Sequence, residues 1–178
     1  MSASVTISTL GTMTPEPALV SEVTSLLGGL VASGAALGWV EPPARSEIER
    51  LLRELTAETA VGDASTVVGR DGQRLIGFGC WRRYQRPTHR PHADIGYVAV
   101  AADHQGRGVG RHLLDCLIHE ARGSWVEQLT LDSRSDNNAA LALWRSRGFV
   151  EYGRLADFVA LGERRYDKTL LVLDLRTG

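Results

Sequence analysis

A glycine-rich segment in the second half of the chain constrains the fold more than any other feature. The apolar run Ile95 to Val100 predicts a strand, Gln105 to Gly110 a turn, and Gly110 to Arg122 a helix. Glycine lets the backbone adopt positive φ and approach a ligand closely. Because the first turn of a helix leaves its N–H groups unpaired at the positive end of the dipole, the segment predicts a socket for phosphate or pyrophosphate.

Two common phosphate-binding patterns do not fit this segment. The dinucleotide pattern G-x-G-x-x-G needs another spacing than that of Gly106, Gly108 and Gly110. The ATP-binding pattern ends in a lysine, and the only lysine of the chain is the distant Lys168. The pattern that remains is Q-x-x-G-x-G, which starts at Gln105.

A second pattern follows the next apolar run, Val126 to Leu131. Asn137, Ala140 and Leu143 fit the pattern N-x-x-A-x-x-L, and Ala140, Leu143 and Trp144 recur at helical spacing. Asp136 or Asn137 can cap this predicted helix, and a glycine suited to end a helix precedes Phe149. Together, Q-x-x-G-x-G and N-x-x-A-x-x-L followed by Gly-Phe resemble the GNAT superfamily of N-acetyltransferases.

The resemblance implies a GNAT fold, in which a central, mostly antiparallel α/β sheet splays at one parallel strand pair and is flanked by helices. The residues alone also predict a mixed sheet with one parallel crossover after Val100. Acetyl-CoA is the implied cofactor. The implied cofactor-binding residues are Val98, Ala99, Val100, Gln105, Gly106, Arg107, Gly108, Val109, Gly110, Arg111 and Asn137.

The first half of the chain predicts elements that flank this unit. The predicted elements are a strand from Ser4 to Leu10, a helix from Pro17 to Leu30 broken by Gly28 and Gly29, a helix to Ala60 capped by Ser46, and a hairpin turning at Asp71-Gly72.

Two aspartates are candidates for the base that removes the proton of an acceptor amine. Asp94 lies where many GNAT enzymes carry a catalytic glutamate, and strand alternation places it on the face of Gly96, Val98 and Val100. Asp132 ends the neighbouring strand, where ligands gather in open α/β sheets. Each could equally be a structural carboxylate that pairs with a cation or caps a turn.

Trp144 occupies the position at which the family usually carries the tyrosine that protonates the leaving thiolate. An indole N–H donates a hydrogen bond but does not give up its proton at neutral pH. Three interpretations follow: Trp144 packs against pantetheine without an acid, another tyrosine (Tyr97, Tyr152 or Tyr166) substitutes, or the thiolate leaves into water. The preferred hypothesis is that the site has no dedicated acid.

Three segments are candidates for contact with the acceptor. The stretch Val31 to Trp39 has the glycine and aromatic character of an acceptor loop and is similar to that of tabtoxin-resistance-type acetyltransferases, and Gly153 to Phe158 is compatible with the same role. A basic cluster, Arg82, Arg83, Arg86 and Arg90, suits either an acidic ligand or a hairpin rim. His89 and His92 lack a third ligand, so no metal site is expected.

Bulk properties limit the classes of function. A chain of 178 residues predicts one domain, residues 1–178, and a formal net charge of -1 gives no argument for nucleic acid or an anionic membrane. Two cysteines and no apolar run of transmembrane length predict a reduced, cytoplasmic protein. A homodimer is an expectation of the family resemblance only.

The leading hypothesis is an acetyl-CoA-dependent N-acetyltransferase acting on a small amine, such as an amino-acid-like, toxin-like or antibiotic-like compound. One alternative, favoured by Trp144, is a module that binds acyl-CoA as a sensor or partner without turnover. Another is a protein N-acetyltransferase, for which an open acceptor groove is expected rather than a narrow pocket.

Overall fold

A computed structural model describes residues 5–176 as one seven-stranded sheet with helices on both faces. The elements in chain order are β1 (Val5–Thr9), α1 (Pro17–Ala32), α2 (Arg45–Ala60), β2 (Ala64–Asp71), β3 (Arg74–Arg83), β4 (His92–Val100), α3 (Val109–Gly123), β5 (Gln128–Arg134), α4 (Asn138–Ser146), β6 (Val150–Leu161) and β7 (Arg164–Asp174). The strand order is β1-β2-β3-β4-β5-β7-β6, and β4–β5 is the one parallel pair within the described range. The predicted GNAT fold is confirmed.

The parallel pair is short, and this creates the gap in the sheet. β4 and β5 are in register from His92 opposite Gln128 to Asp94 opposite Thr130. Beyond Asp94, β4 continues to Val100 without pairing with β5, so the two strands diverge. The backbone edge that β4 turns toward β5 is therefore free to pair with an extended ligand.

Alternation along β3 decides which helices cover each face of the sheet. Arg82 forms ion pairs with glutamates of α2 on one face. On the other face, a Cβ at Gly77 would lie 2.8 Å from Leu113 Cδ1 of α3. Because a side chain there would displace a fully buried leucine, the glycine lets α3 pack directly on the strand.

Several elements begin, end or are capped at residues other than those that the sequence predicts. α1 continues through Gly28 and Gly29, because a glycine weakens a helix without ending it, and stops before the left-handed Gly34 at φ +88°. α2 is not capped by Ser46; instead, Glu47 Oε2 accepts a 2.9 Å hydrogen bond from the Ala44 N–H. The predicted first strand is observed from Val5, and Ser4 lies outside the described residues.

The strand β6 was missed as an element, because its polar and exposed residues lack the alternation that a half-buried strand shows. It is an edge strand paired with β7 on one side. Between Leu155 and Val159 its register shifts, and Asp157 takes a φ of +52°.

None of the helices described between residues 5 and 176 is both long and apolar enough to cross a bilayer.

Candidate active site

The glycine turn joins β4 to α3 as a strand–turn–helix unit. Gly106 and Gly108 have φ of +73° and +86°, and Gly108 is the residue before the helix. The first N–H to pair within α3 is that of His112, which donates to Gly108 O, so the earlier N–H groups of the first turn remain available to an anion. The predicted phosphate socket therefore has the expected backbone geometry.

Side chains around the turn divide between holding it and facing solvent. The Gln105 amide donates to Val100 O at 3.0 Å, which closes the turn onto the end of β4. Val109 is buried, so only its backbone faces outward, whereas Arg107 and Arg111 are exposed beside the turn. These two guanidinium groups could therefore reach a phosphate.

The start of α3 packs closely against its neighbours. A Cβ at Gly110 would lie 3.4 Å from Leu143 of α4 and 3.6 Å from Val100 of β4. Asn137 caps α4 as predicted, since its Oδ1 accepts from the Ala140 N–H at 3.2 Å. The amide N–H groups of Asn137 are the part of that side chain that could donate to a cofactor.

His104 lies directly before the turn and is nearly buried, at 8% exposure. Its Nδ1 lies 3.0 Å from Asp103 Oδ1, and its Nε2 lies 3.1 Å from Asp71 Oδ2 in the β2–β3 turn. Hydrogen bonds first to Asp103 and then to Asp71 raise the pKa of His104 above its ordinary value. Sequence inspection missed this residue, because Asp71 meets it only after the sheet forms.

We expect the hydrogen bonds of His104 to Asp103 and Asp71 to stabilise the fold in a pH-dependent way. Because folding raises the pKa of His104, its contribution to the free energy of unfolding is complete below the unfolded-state pKa of about 6.5. That contribution is lost as the pH rises through the folded-state pKa. His104→Gln should therefore reduce the melting temperature more at pH 6 than at pH 9. A melting difference that is equal at both pH values would contradict this expectation.

A cavity of about 380 Å³ occupies the gap between β4 and β5. Four segments enclose it: the loop after α1, the middle of β4, the end of β5 with the start of α4, and the end of β6. Its lining residues include Ala35 to Val40, Asp94 to Val98, Leu131 to Arg134, Asn137, Ala140, Trp144 and Val159 to Leu161. The cavity thus brings together both candidate bases, Trp144 and part of the predicted acceptor loop.

Asp94 is half-buried on β4 at the point where β4 and β5 diverge. Its Oδ1 accepts a 2.6 Å hydrogen bond from the Thr130 hydroxyl, which is itself 2.6 Å from the Tyr84 hydroxyl. Burial raises the pKa of Asp94, and Asp132 adds to that effect, while Thr130 and Lys168 oppose it. A carboxylate with a raised pKa in a cavity is suited to proton transfer.

The predicted alternation along β4 is wrong, because Gly96 is an extra residue in the strand. Ile95 pairs with Trp81 and Tyr97 pairs with the adjacent Cys80, so the register shifts by one residue between them. Beyond this bulge, Tyr97 and not Val98 shares the face of Asp94. A single-residue bulge leaves no reliable mark in a sequence that already alternates irregularly.

Asp132 is in a different environment from Asp94. It is 49% exposed, and its Oδ2 lies 2.7 Å from Lys168 Nζ. The same ammonium lies 5.1 Å from the ring centroid of Phe158, which the bulge in β6 displaces toward solvent. Asp132 is thus already engaged by a cation, whereas Asp94 accepts from a hydroxyl and lines the cavity where the strands diverge, so the geometry favours Asp94 as the base.

Trp144 is 7% exposed and packs edge-to-face on Phe149, with ring centroids 6.0 Å apart. Its Nε1 is buried and has no hydrogen-bond partner among the described residues. Of the three tyrosines considered as replacements, Tyr97 lines the cavity, whereas Tyr152 is exposed on β6 and Tyr166 lies beneath the Arg134 guanidinium. Burial raises the pKa of Tyr97 to about 12.

The loop after α1 covers the cavity through an aromatic stack. The Trp39 and Tyr97 rings are 5.3 Å apart and nearly parallel, at 10°. The predicted loop is shorter than expected, since Val31 still belongs to α1. The other predicted acceptor stretch, Gly153 to Phe158, lies within β6 and does not line the cavity, which the following residues of that strand reach instead.

The basic cluster is mainly structural. Arg82 pairs with Glu54 and Glu58, and Arg83 donates to Ser124 O at 2.6 Å. Arg90 lies 2.5 Å from Asp63. These side chains fasten the hairpin rim to α2 and to the end of α3. Within residues 5–176, no group of three or more His, Cys, Asp or Glu side chains is arranged to hold a metal ion.

Known proteins share both the sequence patterns and the fold. The acetyltransferase (GNAT) family model matches residues 35–149. The N-alpha-acetyltransferase RimI of Mycobacterium tuberculosis is 41% identical over 87 residues, covering 49% of this chain and 52% of RimI. The Escherichia coli L-amino acid N-acyltransferase MnaT is 36% identical over 98 residues, covering 55% of each protein.

A solved structure extends the likeness to nearly the whole chain. Salmonella typhimurium yncA, determined with its cofactor acetyl-CoA, superposes with a TM-score of 0.83 at 23% identity and covers 98% of this chain and 95% of that one. At this identity the match shows the fold alone.

The sheet, its divergent strand pair and the glycine turn define an acyl-CoA-binding α/β domain. With the family model matching more than half of its residues, the chain belongs to the GNAT acetyltransferase family, whose cosubstrate is acetyl-CoA. The chain spans about half the length of the curated relatives it matches.

Proposed function

We propose that the chain is an N-acetyltransferase that moves the acetyl group of acetyl-CoA directly to the amine of a small, amino-acid-like acceptor. The observation that carries the proposal is the position of Asp94. Its half-buried carboxylate lines a cavity in the gap between β4 and β5, near the start of the strand that ends at the glycine turn. A bound thioester and an amine could therefore meet beside one proton acceptor.

The residues fit the cosubstrate that the family uses. The open edge of β4 offers backbone groups to pantetheine, and the turn before α3 offers unpaired N–H groups to pyrophosphate. Acetyl-CoA would supply the acetyl group as a thioester, and a thiolate is a good leaving group. The chain itself must bind and orient the two substrates and remove a proton from the acceptor amine.

Removal of a proton by Asp94 is the most demanding of these steps, because most amines are protonated at neutral pH. The ordinary pKa values of an alkylammonium and an aspartate lie about 6.5 apart, which opposes proton transfer by roughly 9 kcal/mol. Burial of Asp94 reduces this difference by raising the carboxyl pKa. In the proposed reaction Asp94 takes one proton of the ammonium group, directly or through water, and the neutral nitrogen then bonds to the acetyl carbon. The carbon–sulfur bond breaks, the CoA thiolate leaves into water, and the second proton of the nitrogen passes to solvent.

The cavity also supports the proposed acceptor class. About 380 Å³ is close to the lower end for small-molecule sites, and the Trp39–Tyr97 stack covers part of it. The relative MnaT is named for L-amino acid acceptors. A second candidate is a protein α-amine, since RimI is an N-alpha-acetyltransferase and its matched segment is the more similar of the two.

An acceptor panel separates these candidates. We expect acetyl-CoA thiol release to respond to free amino acids and small amines with a kcat/KM at least about tenfold above that for tripeptides with free N-termini. A preference for the peptides would instead favour a protein acceptor. Saturable CoA binding without acceptor-dependent release for any amine would favour the binding module.

We expect Trp144→Phe to keep kcat within about threefold of the parent protein. The Trp144 Nε1 has no partner among the described residues and phenylalanine retains the ring contact with Phe149, so mainly packing changes. Steady-state kinetics with a CoA titration test this. A loss of kcat by orders of magnitude with unchanged CoA affinity would show that the indole N–H takes part in the chemistry.

A further inference from the structure

A chain of hydroxyl groups leads from the surface loop after β3 to the proposed base. Thr130 is the register partner of Asp94 across the parallel pair, so both side chains project on the same face. The Thr130 Oγ1 lies 2.6 Å from Asp94 Oδ1 and 2.6 Å from the Tyr84 hydroxyl. The roles of Thr130 and Tyr84 go beyond the proposed function, on which they rest.

The direction of each hydrogen bond follows from the chemistry of the groups. An ionised carboxylate only accepts, so the single proton of the Thr130 hydroxyl is donated to Asp94. The alternative acceptor, Ala93 O, is 3.4 Å away and competes weakly. Because Thr130 has no second proton, its oxygen must accept from Tyr84, and the order is Tyr84 to Thr130 to Asp94.

We propose that Tyr84 and Thr130 are positioning residues that hold Asp94 by Oδ1 and leave Oδ2 to receive the proton of the acceptor amine. Among the described residues, the geometric hydrogen bond to the Asp94 carboxylate is the one that Thr130 donates to Oδ1. Tyr84 is itself fixed, since its N–H donates to His92 O at 3.1 Å and its ring meets His89 edge-on at 6.0 Å. An aspartate has few rotamers, so one engaged oxygen determines where the other points.

The hydroxyl chain also affects the ionisation of Asp94, together with the charged groups nearby. Burial and Asp132 raise the pKa of Asp94, while Thr130, Lys168 and Tyr84 lower it. The titratable or charged groups that face it from the packed elements are Tyr84, Arg82, Cys80, Tyr97, Asp132 and Lys168. Arg82 is matched by two glutamates of α2 and Lys168 by Asp132, which leaves the hydroxyl chain as the direct hydrogen-bond donor.

The test compares the pH dependence of kcat/KM for three variants with a matched control. Thr130→Val removes the donor, so the acidic limb should move up by about one pH unit. Thr130→Ser should restore the parent profile, and Tyr84→Phe should give a smaller upward shift. Thr56→Val, which removes a hydroxyl bonded to Leu52 O within α2, should leave the limb in place.

The double variant distinguishes positioning from general packing. Because Tyr84 acts through Thr130, Tyr84→Phe should add no shift in the Thr130→Val background. An additive shift, or a lowered melting temperature with an unmoved limb in Thr130→Val, would overturn the proposal.

A readout without turnover separates this proposal from the proposed function. Carboxyl carbon NMR of aspartate-labelled protein, with the Asp94 signal assigned by its loss in Asp94→Asn, should show a higher Asp94 pKa in Thr130→Val. An unchanged titration overturns the hydroxyl chain even if the enzyme is active. Absence of acetyl transfer by the parent protein, with the carboxyl shift present, overturns the proposed function and leaves the hydroxyl chain supported.

Discussion

Asp94→Asn is expected to lower kcat by roughly 10²- to 10⁴-fold, the usual contribution of a general base. Asparagine has nearly the same shape and can still accept the Thr130 hydrogen bond through its carbonyl oxygen, so the fold and the cavity should persist. What the variant loses is the ability to take a proton. The measurement is steady-state turnover with the best acceptor, combined with a CoA binding titration that should change little.

Asp132→Asn is the matched control for that experiment. Asp132 lines the same cavity but is half exposed and paired with Lys168, so its removal should cost no more than about tenfold in kcat. The parent protein should also lose activity as pH falls through the raised pKa of Asp94, which is when the base becomes protonated. If Asp132→Asn proved the more damaging change, Asp132 would be the base.

Gly108→Val is expected to weaken CoA binding by roughly 10- to 100-fold, which corresponds to about 1.4–2.8 kcal/mol. At a φ of +86°, a β-branched residue is strained, so the turn must change shape. The N–H groups at the start of α3 would then no longer point toward one phosphate position. Isothermal titration with CoA measures the loss.

Gly123→Ala supplies the comparison for a glycine at the other end of the same helix. Its φ is not in the left-handed region and a Cβ there would meet nothing within 4 Å, so CoA affinity should stay within about twofold. The interpretation of the turn would fail if Gly108→Val lowered the melting temperature but bound CoA as tightly as the parent protein.

Local chemistry explains why the phosphate turn and the cap of α4 could be predicted, although the cap of α2 was predicted at the wrong residue. Glycines at two positions of positive φ, an apolar strand before them and an amphipathic helix after them are all encoded within a few residues. The Asn137 cap and the hairpin at Gly72 are equally local. Each depends on hydrogen bonds or steric limits among neighbours in sequence.

The sequence predicts which residue is the candidate base, Asp94, but not the side chains that surround it. The position of Asp94 follows from the family resemblance, whereas its hydrogen-bond donor Thr130 is 36 residues away in sequence, and Tyr84 is 46 residues from Thr130. The bulge at Gly96 reversed the expected alternation, because it depends on how β3 and β4 pair. His104 was missed for the same reason, since Asp71 reaches it from another hairpin.

The sequence by itself determined what this protein can hold. A glycine turn before a helix and a strand that leads into it predict a phosphate socket through backbone geometry, and the resemblance to the GNAT family implies that the ligand is acyl-CoA. Tertiary structure alone decided how two similar aspartates differ. Asp94 is half-buried and hydrogen-bonded to a hydroxyl, and Asp132 is more exposed and paired with Lys168. Desolvation and long-range pairing set the pKa of a carboxyl group, and neither exists until distant strands have come together.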